Sequence, residues 1–569
     1  MTQTRSSVQG DLTRSSPLKS IAATLRLRGA IRVTFAAAAV ALIALTVPAG
    51  TGAQSGNIVV DTTTDGNDGE CARDCTLREA IALADTSTGR WVSVPPGVYR
   101  LTLGPLTLGN DVVFGVSFAG TNSAGARTTV IDAGGRSRVV QVAPGTSAVL
   151  AGVTIRGGNA PTGGGAAIPD GAQLNLYDTI LDGNTAQRGG AVSNAGDAAI
   201  FYSTLSGNRA SGAGGGLSVE PTGNTAVFQS TLAGNSAGSN GGGVVSGGSL
   251  QIQNATIAGN SAAAGGGLYQ ESTTSASTAM WSSILADDAG GACGGSIAGI
   301  PRSTWSHNLA DDGSCQFASP SEGTQGNPNL GPLRNNGGPT DTRALAAGSP
   351  AINSGDPNLC SSSSIDQRHA TVVGACDIGA FEFGATPPQV QLPPPTPGET
   401  ANVFKAKGTV RIKLPGSSDY IDLVDAQQVP VGTTFDTSKG RVTLIAAANN
   451  QGKTQKAWFY QGLFKFSQSK GKKPLTTLTM TGKLQCGGGG KANAAAKKNR
   501  KRRLWGDGKG RFRTKGKHSA ATVVGTKWLV EDRCDGTLTK VVRGKVSVRD
   551  FKRRKTVIVK AGHQYFAKR

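Results

Sequence analysis

The side chains in this sequence that could do chemistry are carboxylates scattered through a glycine-rich middle and cations crowded towards the C-terminus. Between residues 154 and 290 the carboxylates are Asp170, Asp178, Asp182, Asp197, Glu220, Glu271, Asp287 and Asp288. Hydrolysis of a glycosidic bond needs two carboxyl groups held about 5 to 10 Å apart on one face. Equivalent places in successive repeats could supply such a pair, but the place of Asp182 is taken by Ser206, Ala233 and Ala258 in the next three repeats. Eliminative cleavage of an acidic polymer needs a calcium-holding carboxylate cluster with a basic side chain beside it. Residues 210–280 contain no Lys or Arg. The adjacent acidic pairs Asp287–Asp288 and Asp311–Asp312 read more simply as turn caps, and His307 and His369 have no G-x-S-x-G companion. No catalytic residue is assigned.

Further on, Asp356, Asp366, Asp377 and Glu382 offer oxygen ligands of the kind calcium takes. They lack the D-x-D-x-D spacing of a calcium loop, and turn capping with a salt link to Arg368 accounts for them without an ion. They are the candidate metal ligands, and no cofactor motif accompanies them. The cations give a denser signal. Lys497, Lys498, Arg500, Lys501, Arg502 and Arg503 precede Trp505, and Lys552, Arg553, Arg554 and Lys555 follow Phe551. Such clusters attract polyanions by counterion release and long-range steering. The partners they predict are anionic wall polymers or glycans, or a membrane surface, and no specific nucleic acid.

The elements that carry these groups are set by a phrase that comes round five times: T-I-R-G-G-N at 154–159, T-I-L-D-G-N at 179–184, T-L-S-G-N at 204–208, T-L-A-G-N at 231–235 and T-I-A-G-N at 256–260. Its asparagines, Asn159, Asn184, Asn208, Asn235 and Asn260, are spaced by 25, 24, 27 and 25 residues. A fixed period of that length marks a solenoid, in which each unit buries its apolar face against its neighbours. The apolar bursts are short and alternating, so each unit is read as short strands joined by bends rather than helix. The expected fold is all-β, a right-handed parallel β-helix with rungs about 4.8 Å apart. Ile155, Ile180, Leu205, Leu232 and Ile257 are expected to form an inward column. The five asparagines are expected to take left-handed bends and hydrogen-bond from rung to rung.

Composition separates the chain into unlike parts. Residues 401–569 hold 38 Lys and Arg against 9 Asp and Glu, whereas residues 1–400 hold 20 against 27. A cation-flanked apolar run, Val33–Val47, followed by small residues predicts an export signal over 1–53. The eight cysteines fit an oxidising, extracellular setting and are read as structural pairs of sequence neighbours: Cys71 with Cys75, Cys293 with Cys315, Cys360 with Cys376, Cys486 with Cys534. In C-T-L-R-E-A-I-A-L-A at 75–84, Thr76 and Glu79 form a capping box and Leu77, Ala80, Ile81 and Ala84 an apolar stripe. This predicts a short helix that plugs the open end of the solenoid.

Residues 75–81 resemble the CSLREA motif of exported bacterial β-helix proteins, with Thr76 where serine is usual, and V-P-P-G-V-Y-R-L at 94–101 resembles their first rungs. The rungs with G-N-x-A are also similar to polymorphic outer membrane protein repeats. N-P-N-L-G-P-L at 327–333, G-S-P-A-I-N-S-G-D at 348–356, D-Q-R-H-A at 366–370 and C-D-I-G-A-F-E-F at 376–383 together resemble the choice-of-anchor Q domain, in which His369 stands where the family has glycine. In the basic part, V-P-V-G-T-T-F-D-T-S-K-G-R-V at 429–442 and A-T-V-V-G-T-K-W-L-V-E at 521–531 resemble an extracytoplasmic FecR-type β domain. The organisation read from the chain is therefore signal 1–53, cap and first rungs 54–135, β-helix repeats 136–325, anchor-like block 326–383, Pro-rich linker 384–400 and basic β domain 401–569. These resemblances imply an exported, non-catalytic surface or cell-envelope protein, its solenoid a stalk or adhesive, glycan-binding face. The alternatives are a polysaccharide lyase or hydrolase of the pectate-lyase-like β-helix class and a FecR-like envelope sensor module.

Overall fold

The computed structural model describes residues 58–569 except 72–73, 87–90, 110–111, 116–124, 300–303, 362–363, 389–391, 393, 416–418, 424–425, 485, 487–500 and 524. The expected signal over 1–53 and the cations Lys497, Lys498 and Arg500 lie outside the described residues.

From Ile58 to Gln325 the chain is a parallel β-solenoid. Each turn lays one strand on each of three sheets, of ten, ten and eight strands, and a fourth sheet of four strands runs along part of one side. One turn shows the pattern: Gln173–Tyr177 joins the first sheet, Ile180–Asp182 the second and Val192–Asn194 the third, before Asp197–Phe201 pairs in parallel with Gln173–Tyr177. Alternate side chains point inward, so bursts such as Leu174 and Leu176 fill a narrow interior. Each fully buried aliphatic side chain is worth about 1.5–3 kcal/mol there.

The inward column of the second sheet runs Ile131, Ile155, Leu181, Leu205, Leu232, Ile257 and Leu285, each 0% exposed. Ile180 is not in it. It pairs with Thr154 and Thr204, and Leu181 takes the inward place. The phrase at 179–184 is one residue longer than those after it, and its G-N end holds register, so the apolar residue next to the glycine end turns inward. Asn159 is likewise outside the asparagine ladder. The first phrase also has an extra residue, which puts Gly158 opposite Asn184 and leaves Asn159 exposed.

The ladder itself is Asn184, Asn208, Asn235 and Asn260, all buried, and ends on Asp288. From Asn208 on, each Oδ1 accepts both the backbone N–H and the Nδ2 amide of the rung before, while Asn184 Oδ1 accepts from Gly158 N, and every Nδ2 also donates to a carbonyl: Asn208 to Leu181, Asn235 to Leu205. These asparagines do not take the left-handed bend. Gly183, Gly207, Gly234 and Gly259, just before them, do, with φ of 61 to 73°. A second left-handed corner recurs between the first and second sheets on non-glycine residues, Asp178, Tyr202, Gln229, Asn254, Ser282 and His307, with φ of 42 to 52°. The strain is offset because each corner N–H bonds to the next rung, as Asp178 does to the Phe201 carbonyl. The glycine clusters serve close approach: a Cβ on Gly215 would lie 2.4 Å from the Gly242 carbonyl oxygen.

Helix α1 (Leu77–Asp85) has both halves of the Thr76–Glu79 capping box and buries Leu77, Ala80, Ile81 and Ala84 in the same core as the first rungs. Arg78 fixes it by pairing with Asp65 at 3.0 Å and donating to the Pro105 carbonyl. Disulfides join Cys71 to Cys75, Cys293 to Cys315, Cys360 to Cys376 and Cys486 to Cys534. Four disulfides fit an oxidising or extracellular environment.

Beyond residue 400 the strands form a separate, mostly antiparallel sheet that encloses its own core of Phe435, Phe459, Phe464, Phe466, Phe512 and Trp528. Strict alternation makes it possible: in Thr454–Tyr460, Gln455, Ala457 and Phe459 are buried and Lys456 and Trp458 face outward. The chain is therefore all-β with few helices, a parallel β-solenoid followed by a second β domain.

Candidate functional site

The second sheet of the solenoid is covered from outside by the 326–383 block, and the pins are the threonines that open the repeated phrase. Thr204 Oγ1 donates to the Asp341 carbonyl at 2.6 Å, Thr231 Oγ1 donates to Gln367 Oε1 at 2.6 Å, and Thr256 Oγ1 accepts from Ala380 N at 3.0 Å. Gln367, of D-Q-R-H, is 0% exposed and donates to the Ser203 carbonyl and to Thr340 Oγ1. Arg127 pairs with Asp341, and Arg343 with Asp287. The block is thus a strap laid along the stack, and this flank is closed to ligands. The recurring threonine was visible in the sequence as part of the phrase. What it touches lies more than a hundred residues away.

His369 sits left-handed, with φ of 62°, where a glycine would fit without strain. Its ring meets Tyr202 edge-on, and Nε2 pairs with Asp178 at 3.0 Å. Burial acts against the charged imidazole, but the Asp178 carboxylate outweighs it and raises its pKa.

The four candidate calcium ligands do not converge. Among the described residues no group of three or more His, Cys, Asp or Glu side chains is placed to hold a metal ion. Asp366 pairs with Arg368 and accepts backbone N–H bonds from Arg368, Ala370 and Glu382. Asp377 accepts from Asn353 and Phe383, Glu382 from Val373 and Asp377, and Asp356 from Ser306 and Asn358. Their oxygens are taken up by the strap's own turns, by Arg368 and, for Asp356, by Ser306 of the solenoid, so the metal-ligand expectation is corrected to a structural role.

Burial, with the charges of Asp377 and Asp366, pushes the Glu382 carboxyl up to about 7. Glu382 and His369 both have folded pKa values above their unfolded ones. What each contributes to stability is present at acid pH and lost as pH rises through the folded value. Asp356 is shifted the opposite way, because its hydrogen bonds and His307 outweigh burial, and it acts only in the acid range. The strap is therefore expected to loosen between pH 6 and pH 8.5, seen as faster proteolytic nicking within 326–383 relative to an unstructured control peptide. Equal relative rates at the two pH values would contradict this.

Asp288 closes the asparagine ladder. Its Oδ1 accepts from Asn260 N at 2.7 Å and Asn260 Nδ2 at 3.1 Å, while its buried Oδ2 has no partner. Burial pushes this carboxyl well above the ordinary range. Oδ2 stands where the other ladder residues carry an amide that donates to a carbonyl. Asp288→Asn is expected to raise stability at pH 7 by about 1–2 kcal/mol, since an unpaired buried polar group is replaced by a donor. The sign follows from the raised pKa: the acid's contribution is intact below its unfolded value and is lost as pH rises from there through the folded one, so the gain should vanish below about pH 4. A urea midpoint for the solenoid that does not move at pH 7 would overturn this.

Glu220, Glu271, Asp182 and Asp197 are held by partners on other rungs. Arg188 bonds Glu220 at 3.3 Å and Glu271 at 3.1 Å, and Gly247, in the rung between, leaves the room into which Glu271 leans. Burial opposes the Arg188 charge, but Glu271 and Glu220 outweigh it and hold its pKa above the ordinary value. Asp182 accepts from Ser206 Oγ.

In the basic domain, Lys501 precedes and Arg502 and Arg503 begin the strand Arg502–Lys509, and Lys552, Arg553, Arg554 and Lys555 lie in the connection after Lys545–Asp550. Arg502 is not a free cation: it pairs at 2.7 Å with Asp532, which is fully buried. Lys501 lies 3.7 Å from Glu531. The two segments meet at His518, whose carbonyl accepts from Phe551 N. Burial, then the neighbouring Lys517, Arg569 and Arg502, hold the His518 imidazole below its ordinary value.

No protein-family model matches the chain, and no curated protein does. Among solved structures it is similar to the crystal structure of pectate lyase Pel9A, with 13% sequence identity, a TM-score of 0.28, and coverage of 57% of this chain and 96% of that chain. Nothing about activity follows from a similarity at this level.

Proposed function

We propose that this is an exported cell-envelope protein. Its solenoid, of the CSLREA and choice-of-anchor kind, is a rigid non-catalytic stalk, and its basic β domain holds anionic envelope polymers. The observation that carries this is the meeting of the 501–503 and 551–555 segments around His518, in a domain with 38 Lys and Arg against 9 Asp and Glu. Cations gathered on one end of a rigid sheet favour a polyanion through counterion release. A cleavage reading would need a free base near the Glu220 and Glu271 carboxylates. Arg188, the cation between them, is committed to both.

The test is to bind the full chain to isolated bacterial envelopes and elute with increasing salt. Release at moderate salt, and loss of retention on deleting 401–569, are the expected results. Unchanged retention after that deletion would move the anchoring to the solenoid. Unsaturated sugar products from acidic polysaccharide with calcium would restore the enzyme reading.

A further inference from the structure

We propose that the basic domain carries a defined binding site for acidic polysaccharide, separate from the cation end around His518 and resting on the envelope-binding reading above. A cleft of about 440 Å³ is lined by Ala448, Thr454, Gln455, Lys456, Lys509, Gly510 and Arg511. Three of these are cations and none is a carboxylate. Lys456 and Lys509 are direct cross-strand partners, so their ammonium groups share one edge of the cleft. The floor is fixed: Gln455 Oε1 accepts from Arg511 N, and its Nε2 donates to the Ala447 carbonyl. An opening this size with paired cations fits one or two sugar rings bearing carboxylates.

From the cleft an aromatic strip runs over the outer face of the same strands. Trp458 is 36% exposed, with the Lys456 ammonium 5.6 Å from its ring centre. Two residues on, Tyr460 stacks on Trp505 with centroids 6.0 Å apart, and the Arg441 guanidinium covers the other face of Tyr460 at 4.6 Å. The strip ends beside Arg503, which faces outward two residues before Trp505. The outer face of Phe512–Lys515, Ser519–Val523 and Lys545–Asp550 carries Arg513, Lys515 and Arg549 but no aromatic side chain. Charge is therefore general to the domain, and beside the cleft it comes with a run of rings, whereas elsewhere Arg411 over Tyr420 is a single pair.

The chemistry favours a glycan over a nucleic acid. A single-stranded nucleic acid needs successive open ring faces on which to stack its bases, and here Tyr460 and Trp505 are closed against each other and under Arg441. Asp507, held at 2.8 Å by Arg543, sits beside Trp458 in cross-strand register. A carboxylate there can accept from sugar hydroxyls, while the acid groups of the polymer meet the Lys456, Lys509 and Arg511 edge of the cleft.

The test uses the full chain titrated with polygalacturonate, neutral dextran and a single-stranded oligonucleotide at fixed salt. Lys456→Gln/Lys509→Gln is compared with the equal charge change Arg513→Gln/Arg549→Gln, and Trp458→Ala with Trp458→Phe; circular dichroism establishes that each variant is folded. The expected result is polygalacturonate binding that falls at least about tenfold in the cleft pair, and about fivefold in Trp458→Ala with recovery in Trp458→Phe, as losses of one or two charge or cation–π contacts give. The Arg513/Arg549 pair should lose less than about threefold, the part owed to net charge. Equal losses in both pairs would overturn the site, as would oligonucleotide binding tighter than polygalacturonate and abolished by the same substitutions. If the variants leave binding intact while envelope retention persists, this inference fails and the envelope reading stands. If the unaltered chain binds neither envelopes nor polygalacturonate, both fail.

Discussion

Asn235→Leu is expected to destabilise the solenoid by about 3–5 kcal/mol, because each buried polar group left without a partner costs about 1–3 kcal/mol. Asn235 Oδ1 accepts from Asn208 N at 3.0 Å and Asn208 Nδ2 at 2.9 Å, and Asn235 Nδ2 donates to the Leu205 carbonyl at 3.0 Å. Leucine has the same branched skeleton and is no smaller, so the change deletes bonds without opening a cavity. All the orphaned groups lie inside the stack, where water cannot replace the lost partners. Hydrogen exchange over residues 204–260 of the full chain should quicken accordingly. Asn159→Leu is the control: Asn159 is exposed and makes one long side-chain bond, to the Gly135 carbonyl at 3.3 Å, so its effect should stay within about 0.5 kcal/mol, as at most surface sites. Equal effects at 159 and 235 would show that the amide ladder contributes nothing beyond the rung backbone.

The second large effect is expected in the strap. Arg368 is buried, pairs with Asp366 Oδ2 at 2.6 Å, donates to the Glu382 carbonyl at 2.7 Å and lies 3.6 Å from the centre of the Phe381 ring. Arg368→Ala takes the cation from the buried Asp366 carboxylate and leaves it backbone N–H partners alone, and breaking a buried pair from one side costs about 3–5 kcal/mol. The strap should then release from the second sheet, exposing Thr204, Thr231 and Thr256. Proteolytic cleavage within 326–383 should rise by at least about a hundredfold, the equilibrium factor that about 3 kcal/mol corresponds to when opening is fast. Replacing both partners, as Arg368→Met with Asp366→Asn, should recover part of the loss. If the single and double variants behave alike, the ion pair is not what holds the strap.

Several of these features were readable in the residues. The period, the short alternating bursts of the repeats and the capping box of α1 all follow from local chemistry, which acts over a few residues and so appears as a local pattern. The errors at Ile180 and Asn159 come from one cause. Both phrases that open the series are six residues long where the later ones are five, and a longer phrase can align at its threonine end or at its G-N end. Hydrogen bonds to the neighbouring rung choose between them: 154–159 aligns from Thr154, and 179–184 from Asn184. A one-residue slip in a parallel ladder exchanges inward for outward faces, so the choice decides which side chain enters the core. The metal-ligand expectation failed for a related reason. Nearness in sequence brought Asp356, Asp366, Asp377 and Glu382 together on paper, while their partners are backbone amides of turns whose shape the strap sets.

The repeat length and the alternation of small, branched and polar residues were enough to determine that this chain stacks short strands and then changes to a second, strongly cationic β domain. Burial of greasy stripes and the steric freedom of glycine need only near neighbours to act. Which flank of the stack is covered, that Thr204, Thr231 and Thr256 are docking points, and that Lys456, Lys509 and Arg511 share a cleft beside Trp458 were decided by the tertiary structure alone. Those relations join segments far apart in the chain, and their energies depend on distances that no local pattern contains.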